Sequence, residues 1–533
     1  MSSAAGTLTN QSQTEAFDAA PTGAMIWVIA IAVMLATFME VLDTSIAAVS
    51  LPYIAGSLSA TNDEATWVLT SYLVSNAVVL PASGWFSLRF GRKRFLITCI
   101  IIFTISSFLC GSATSLAMIL IARAIQGAGG GALQPMSQAI LLETFPPEKR
   151  GIAMAAFGLG VVVAPVLGPT LGGWITETYT WRWAFYINVP IGILAVILIS
   201  RFVHDPPYIR NAKPGRLDAI GLGLLTVWLG ALQIILDKGQ EDDWFGATWI
   251  RWAVVILITA FIAFIAWELT REKPLVDLKI FKNRNFAVGC LLIALFGVVI
   301  YGIVTLLPLF FQTLLGYTAL AAGWAVSPRG IGAIFAMPLV GLLTERLDNR
   351  WLIATGFAGV GACTLWLGNA DTQIGEFSMF WAIILSGFFI GFVFVPLVTV
   401  AMGKLEKEQV GNAAGLYNLL RNVGGSIGIS VVNTLLVRRA QVHQSEIVHS
   451  VSAGSPALQR ALQSTTRLMD AHADPVTAVN RARKLIELTM SQQAQLWAYV
   501  DDFRYLALLC FACIPIAFTL QRVRRRPGHV AIE

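Results

Sequence analysis

Fourteen stretches, each about twenty residues long and nearly free of charge, divide this chain from one polar break to the next. Their approximate limits are 25–50, 64–88, 95–113, 116–141, 151–174, 183–202, 217–236, 248–267, 286–311, 319–343, 351–368, 377–401, 411–437 and 505–521. A helix of about 20 apolar residues crosses a hydrocarbon core about 30 Å thick, and backbone in that core must satisfy its own hydrogen bonds. The pattern therefore predicts an all-α polytopic membrane protein. With 56% hydrophobic and only 13% charged residues, the composition excludes an ordinary soluble domain.

The loops test the count, because Lys and Arg gather on the cytoplasmic side of a membrane protein. "RFGRKR" at 89–94, Lys149 and Arg150, the basic residues of 201–216 and 271–284, Arg346, Arg350, Lys404, Lys407 and the terminal "QRVRRRP" all fall on one side. The short loops of the other side hold Arg182, Lys238 and Arg251. An even number of spans then places both termini in the cytoplasm and explains most of the net charge of +6 without nucleic acid. One long external loop, 438–500, carries seven basic residues, and long loops translocate regardless of charge. Within it "ADPVTAVNRARKLIEL", with Asp474 as N-cap and Pro475 at the first helical position, predicts a helical hairpin outside the membrane. Residues 1–24 read as a disordered cytoplasmic tail and 522–533 as a second tail. The six cysteines read as buried small hydrophobes, and "CFAC" at 510–513 lacks the context of a redox motif.

Charge inside the spans is the exception that needs a reason. "MEVLDTS" places Glu40 and Asp43 in the first span, three residues apart and so on one helix face. Each costs roughly 2.5–3.5 kcal/mol at mid-bilayer, and two so close in low dielectric cannot both ionise cheaply. That is the chemistry of a proton carrier. Asp43 is the leading candidate and Glu40 its neighbour, which tunes it or meets substrate. Arg123 in the fourth span is a permanent cation in need of a partner, so a trade of the Asp43 proton against Arg123 and substrate is expected. Arg329 and Arg421 are further cations in later spans, and with the amides Asn76, Gln126 and Gln134 they are candidate cavity residues. Because the second half lacks acids in its span interiors, anionic, weakly acidic or neutral amphiphiles are favoured over dications.

A repeat supports a two-part architecture. "GWFSLRFGRK" after the second span aligns with "GLLTERLDNR" after the tenth, Gly84 with Gly341, Arg89 with Arg346 and Lys93 with Arg350. The architecture is six spans, an inserted pair and six more, with limits of 25–202 for the first bundle, 203–270 for the pair, 271–285 for a linker and 286–521 for the second bundle. "GWFSLRFGRK", "RAIQGAGGG" at 123–131, "GLGVVVAPVLGPTLGGW" at 158–174, "LDTSIAAVSLP" at 42–52 and "WRWAFYINVPIG" at 181–192 resemble motifs of the major facilitator superfamily, and in particular of its fourteen-span drug:proton antiporters. With its long external loop before the last span, the chain is similar to the inner-membrane subunits of tripartite efflux pumps.

The resemblance implies a proton-driven multidrug exporter of the bacterial inner membrane that works by alternating access. It implies no cofactor beyond the coupling proton, and as partners a periplasmic membrane-fusion adaptor and an outer-membrane TolC-like channel. Its conformational motifs map to Gly84, Arg89, Gly91, Arg92, Gly158, Pro165, Gly168, Pro169, Gly172 and Gly173, its coupling acid to Asp43, and the Arg and Gln of its fourth span to Arg123 and Gln126. Leu88 stands where the family's loop motif has Asp, so a gate built on that acid is not expected here. Without a Walker motif, a metal-spaced His cluster or a nucleophile elbow, the chain does not read as an enzyme. The rival readings are a narrow exporter of one metabolite or lipid, and a membrane scaffold without transport.

Overall fold

The computed structural model describes residues 23–210, 215, 217–272, 274–369, 376–450, 456–470 and 475–522, and among them it is all helix, with no strand. The tails, apart from Gly23, Ala24 and Arg522, lie outside the described residues, as does Asp474. The first half contains α1 (Ala24–Ser57), α2 (Asn62–Phe90), α3 (Arg92–Gly111), α4 (Leu116–Gly130), α5 (Leu133–Thr144), α6 (Arg150–Thr178), α7 (Trp183–Tyr186) and α8 (Asn188–Phe202). A short turn, α9 (Pro207–Arg210), leads to the pair α10 (Ala219–Lys238) and α11 (Thr248–Thr270). The second half contains α12 (Arg284–Thr313), α13 (Ala319–Val326), α14 (Pro328–Arg346), α15 (Asn349–Leu367), α16 (Glu376–Met402), α17 (Val410–Ser450), α18 (Pro456–Asp470) and α19 (Pro475–Phe518).

The helices start where the sequence supplies caps. A capping box of Thr61 and Glu64 opens α2, and Ser115, Asp218, Asn283, Thr318 and Asp348 each accept a backbone N–H at the start of the next helix. Three expected spans are each divided: the fourth at Gly131–Ala132, the sixth at Ile187 and the tenth at Ser327 before Pro328. Large apolar side chains such as Ile105, Ile121 and Phe335 face outward, as lipid contact requires.

Among the described residues, thirteen helical segments are long and apolar enough to cross a membrane. The fourteenth expected span is the end of α19. Asp501, Asp502 and Arg504 stand just before its apolar stretch, and the helix ends at Phe518, so length and composition do not mark it. Packing against α12, α15 and α17 holds it in the second bundle. The external hairpin takes a different form from that expected. The helix of the thirteenth span continues past Val437 to Ser450, and α19 runs from Pro475 into the last span as one helix. Arg439 and His443 on α17 both reach Asp501 on α19, at 2.6 and 2.9 Å, and α18 lies against α19.

The repeat is visible in the packing. In the first half α1 packs on α6 and α8, α4 on α2 and α3, and α3 on α8. In the second, α12 packs on α17 and α19, α16 on α14 and α15, and α15 on α19. The halves meet where α6 packs on α14 and where α2 packs on α17, two contacts that the repeat interchanges.

Both contacts are close at the basic-loop face. A Cβ on Gly84 would lie 3.1 Å from the backbone of Asn412, and one on Gly151 would lie 2.0 Å from Thr344 Oγ1 and 2.7 Å from the carbonyl of Gly341. The boundary is therefore sealed on that face, and glycine permits the approach.

Candidate proton and substrate site

Two buried polar clusters lie along α1. The first is centred on Asp43, which has the Arg123 Nη1 at 2.6 Å on Oδ2, and the amides of Gln126 at 2.9 Å and Asn188 at 2.7 Å on Oδ1. Both members of the ion pair are fully buried. Arg123 also donates to the carbonyl of Val68 at 3.0 Å and to Gln126 Oε1 at 2.8 Å, and its guanidinium lies 4.3 Å from the ring centroid of Tyr72. This geometry follows from close packing: a Cβ on Gly127 would come 2.2 Å from the Tyr72 carbonyl, so α4 can lie directly on α2 and carry Arg123 to Asp43.

The second cluster is centred on Glu40. Its Oε1 accepts from the Asn76 amide at 3.1 Å and from Tyr72 Oη at 3.4 Å, and its Oε2 accepts from the Gln134 amide at 2.6 Å. Among the described residues no cation pairs with it directly. Gln134 Oε1 instead accepts from Arg421 of α17, so one amide links the Glu40 carboxylate to a cation of the opposite half. The two acids share a helix but not partners. Asp43 holds an ion pair within its own half, while Glu40 is joined through Gln134 across the boundary.

Arg421 has two guanidinium nitrogens, Nε and Nη1, with no hydrogen-bond partner among the described residues, and Arg329 on α14 has none for any of its three. Both line a small interior space of about 40 Å³ between the halves, with Pro165, Gly297, Tyr301 and Phe394. Of the candidate cavity residues, Asn76 and Gln134 belong to the Glu40 cluster and Gln126 to the Asp43 cluster.

The motif residues are placed with separate tasks. Gly84 is at the seal. Gly91 has φ +84°, and a Cβ there would come 2.8 Å from Asp205 Oδ2; the same carboxylate accepts the Lys93 N–H at 2.8 Å and caps α3. Arg92 pairs with Glu143 at 2.7 Å within its own half and donates to Tyr208 of α9 at 2.8 Å, while Arg89 is exposed. On α6, Gly168 and Gly172 face α1, and Gly158 and Gly173 face the second half. Pro169 has no N–H for the Pro165 carbonyl one turn earlier, and Ser45 Oγ donates to that carbonyl at 3.1 Å instead. Both prolines thus sit within a continuous helix, and the acceptor opened by Pro169 is met from α1.

Two site residues were not singled out from the sequence, Tyr72 and Asn188. Asn188 is the polar residue of "WRWAFYINVPIG", and a lone amide at the start of an apolar span is the signal that marks it; it also donates to Ser107 Oγ at 3.0 Å. Tyr72 carries no comparable mark.

Comparisons with known proteins bear on this arrangement. The profile of the Major Facilitator Superfamily matches residues 33–429. The multidrug export protein EmrB of Escherichia coli K12 is 39% identical over 438 residues, covering 82% of this chain and 85% of that protein. The fatty acid resistance protein FarB of Neisseria gonorrhoeae is 36% identical, covering 93% and 96%. Among solved structures, the human organic anion transporter MFSD10 aligns with a TM-score of 0.57 at 15% identity, covering 91% of this chain and 99% of that one. The proton:xylose symporter XylE aligns at 0.58 and 14% identity, covering 92% and 96%. At those identities the two structures speak for the fold alone. The resemblance to drug exporters of the major facilitator superfamily, read from the sequence, agrees with these likenesses.

Proposed function

Because this chain belongs to the major facilitator superfamily, and within it to the EmrB-like multidrug efflux transporters, we propose that it exports amphiphilic hydrophobic compounds in exchange for protons carried at Asp43. The observation that carries this reading is the Asp43–Arg123 ion pair, fully buried, at 2.6 Å. A buried pair is weak as a source of stability, because desolvation offsets much of its Coulomb gain. As a switch it is effective: a proton on Asp43 removes one charge and leaves Arg123 with the Val68 carbonyl and Gln126.

Glu40 carries the change to the other half. A proton on its Oε2 turns an acceptor into a donor. Gln134 can meet that donor only by turning its amide, which would aim NH₂ at Arg421, a side chain with no acceptor. Loading Oε2 therefore opens the bond between the halves, and Arg421 becomes free to meet substrate. While the basic-loop face is sealed, protons and substrate exchange with the opposite side. We place the protein in the bacterial inner membrane with both termini cytoplasmic, which puts the sealed face toward the cytoplasm. No cofactor other than the coupling proton is needed. The outward extensions of α17 and α19, with α18, are where a periplasmic adaptor leading to an outer-membrane TolC-like channel would dock, as in tripartite pumps.

The test is proton movement in liposomes holding the purified protein, with and without uncoupler-like drugs or fatty acids. Substrate-dependent proton flux, lost in Asp43→Asn, is the expected result. A protein that binds such compounds but moves neither them nor protons supports the scaffold reading. Transport of one compound alone supports the narrow exporter.

A further inference from the structure

The repeat relates two clefts on the outside of the bundle, one between α2 and α17 and one between α6 and α14. The first is covered. The inserted helix α10 packs on both α2 and α17, with Thr70 donating to Asp237 and Ser426 donating to Gln233 at 3.0 Å. Its counterpart has no such cover among the described residues. There, toward the end of α6 away from the basic loops, lies an apolar groove of about 500 Å³, with Leu167, Thr170 and Trp174 on one wall and Trp324 and Ile331 on the other. Trp174 and Trp324, 48% and 63% exposed, stand at its mouth.

The groove adjoins a charge. Val166 lines both the groove and the interior space that holds Arg329. Gly330, next to Arg329, also lines the groove, and a Cβ on it would come 3.2 Å from Val166 Cγ1, so the partition is one side chain thick. Arg329 is 1% exposed, and none of its three guanidinium nitrogens has a hydrogen-bond partner among the described residues. A desolvated guanidinium demands an acceptor, and a carboxylate meets it with two parallel bonds.

We propose that the open cleft is a lateral binding groove for a single-chain amphiphile with one anionic head, a long-chain carboxylate arriving from the bilayer. Its tail lies between Trp174 and Trp324, and its head passes Val166 to reach Arg329. The size of the groove suits one such ligand. Covering one of the two clefts with α10 while the other stays open among the described residues gives the bundle a side door there. The proposal deepens the export reading and rests on it for the steps after binding, whereas occupancy of the groove does not require proton coupling.

The test uses the full-length protein in nanodiscs of zwitterionic phospholipid, with Trp fluorescence quenched by 11-bromoundecanoate. Saturable quenching is expected, reduced in amplitude in Trp174→Phe/Trp324→Phe. In Arg329→Gln its midpoint moves to about tenfold higher concentration or more, and Arg329→Lys recovers much of that loss. A brominated alkyltrimethylammonium of the same length gives no saturable component. Should Arg329→Gln fail to fold, Val166→Trp, which thickens the partition, keeps quenching by the tail but loses the preference for carboxylate over ammonium.

Equal quenching by the cation, an unchanged midpoint in Arg329→Gln, or quenching by brominated phosphatidylcholine that the carboxylate does not displace overturns the proposal. Absence of saturable quenching in a protein with normal substrate-driven proton flux overturns the groove alone. Saturable quenching without any proton flux overturns the export reading and leaves the groove standing.

Discussion

Replacing Arg123 with Met tests the buried pair as a unit. The substitution leaves the Asp43 carboxylate fully buried, with the amides of Gln126 at 2.9 Å and Asn188 at 2.7 Å but no cation. Breaking one side of a buried pair costs about 3–5 kcal/mol, and two retained amide donors favour the lower end of that range. Asp43→Asn strands the Arg123 guanidinium in the same way and carries a cost of about 3 kcal/mol. The double variant Asp43→Asn/Arg123→Met buries no charge at all, so its cost is about 1–2 kcal/mol rather than the sum of the singles. The coupling between the two sites is then about 4 kcal/mol. The assay is equilibrium unfolding in mixed micelles across the four proteins of the cycle. Effects that add to within about 0.5 kcal/mol would show that the two charges do not interact, and the reasoning would fail with them.

Other outcomes rest on the same geometry. Gly151→Leu, whose side chain would run into Thr344 and the Gly341 carbonyl, disfavours the sealed basic-loop face; maleimide labelling of a Ser87→Cys reporter, buried in the sealed state, is expected to speed up in that background. Gln134→Leu removes the Glu40–Arg421 link while keeping the Asp43 cluster intact, so drug binding is expected to survive while its dependence on pH flattens, as measured by ligand fluorescence over a pH series. Outside the membrane spans, Asp502 is buried with no hydrogen-bond partner among the described residues for either carboxylate oxygen, and burial first, then the neighbouring Asp501, push it up to about 8. A carboxyl raised in the folded state contributes stability that is complete below its ordinary range near 4 and is lost as pH rises through about 8. The thermal stability of Asp502→Asn is therefore expected to pull ahead of the parent between those limits and to keep a constant lead above them.

The order of the spans was legible because it depends on a quantity a sequence carries directly, the length of each apolar run. The acids of "MEVLDTS" and Arg123 were legible for the same reason, since charge in hydrocarbon stands out against its surroundings. What those charges touch was not. Asp43 and Asn188 are 145 positions apart, Gln134 and Arg421 are 287 apart, and no local pattern encodes either meeting. The division of the fourth span at Gly131–Ala132 was hidden inside a glycine-rich stretch that reads equally well as a packing surface. The last span was read from its own apolar run at 505–521 and tested by the charge alternation, although its helix carries three charged residues immediately before the apolar part. The outward continuation of α17 past Val437 depends on pairing with α19 through Asp501, a long-range contact that a polar, charged segment does not announce.

Substrate-driven proton movement bears most directly on the central claim. Purified protein in liposomes with a pH-sensitive dye inside should show proton counterflow on addition of an exported amphiphile. Asp43→Asn should bind that compound and move no protons. Normal proton counterflow in Asp43→Asn would contradict the account.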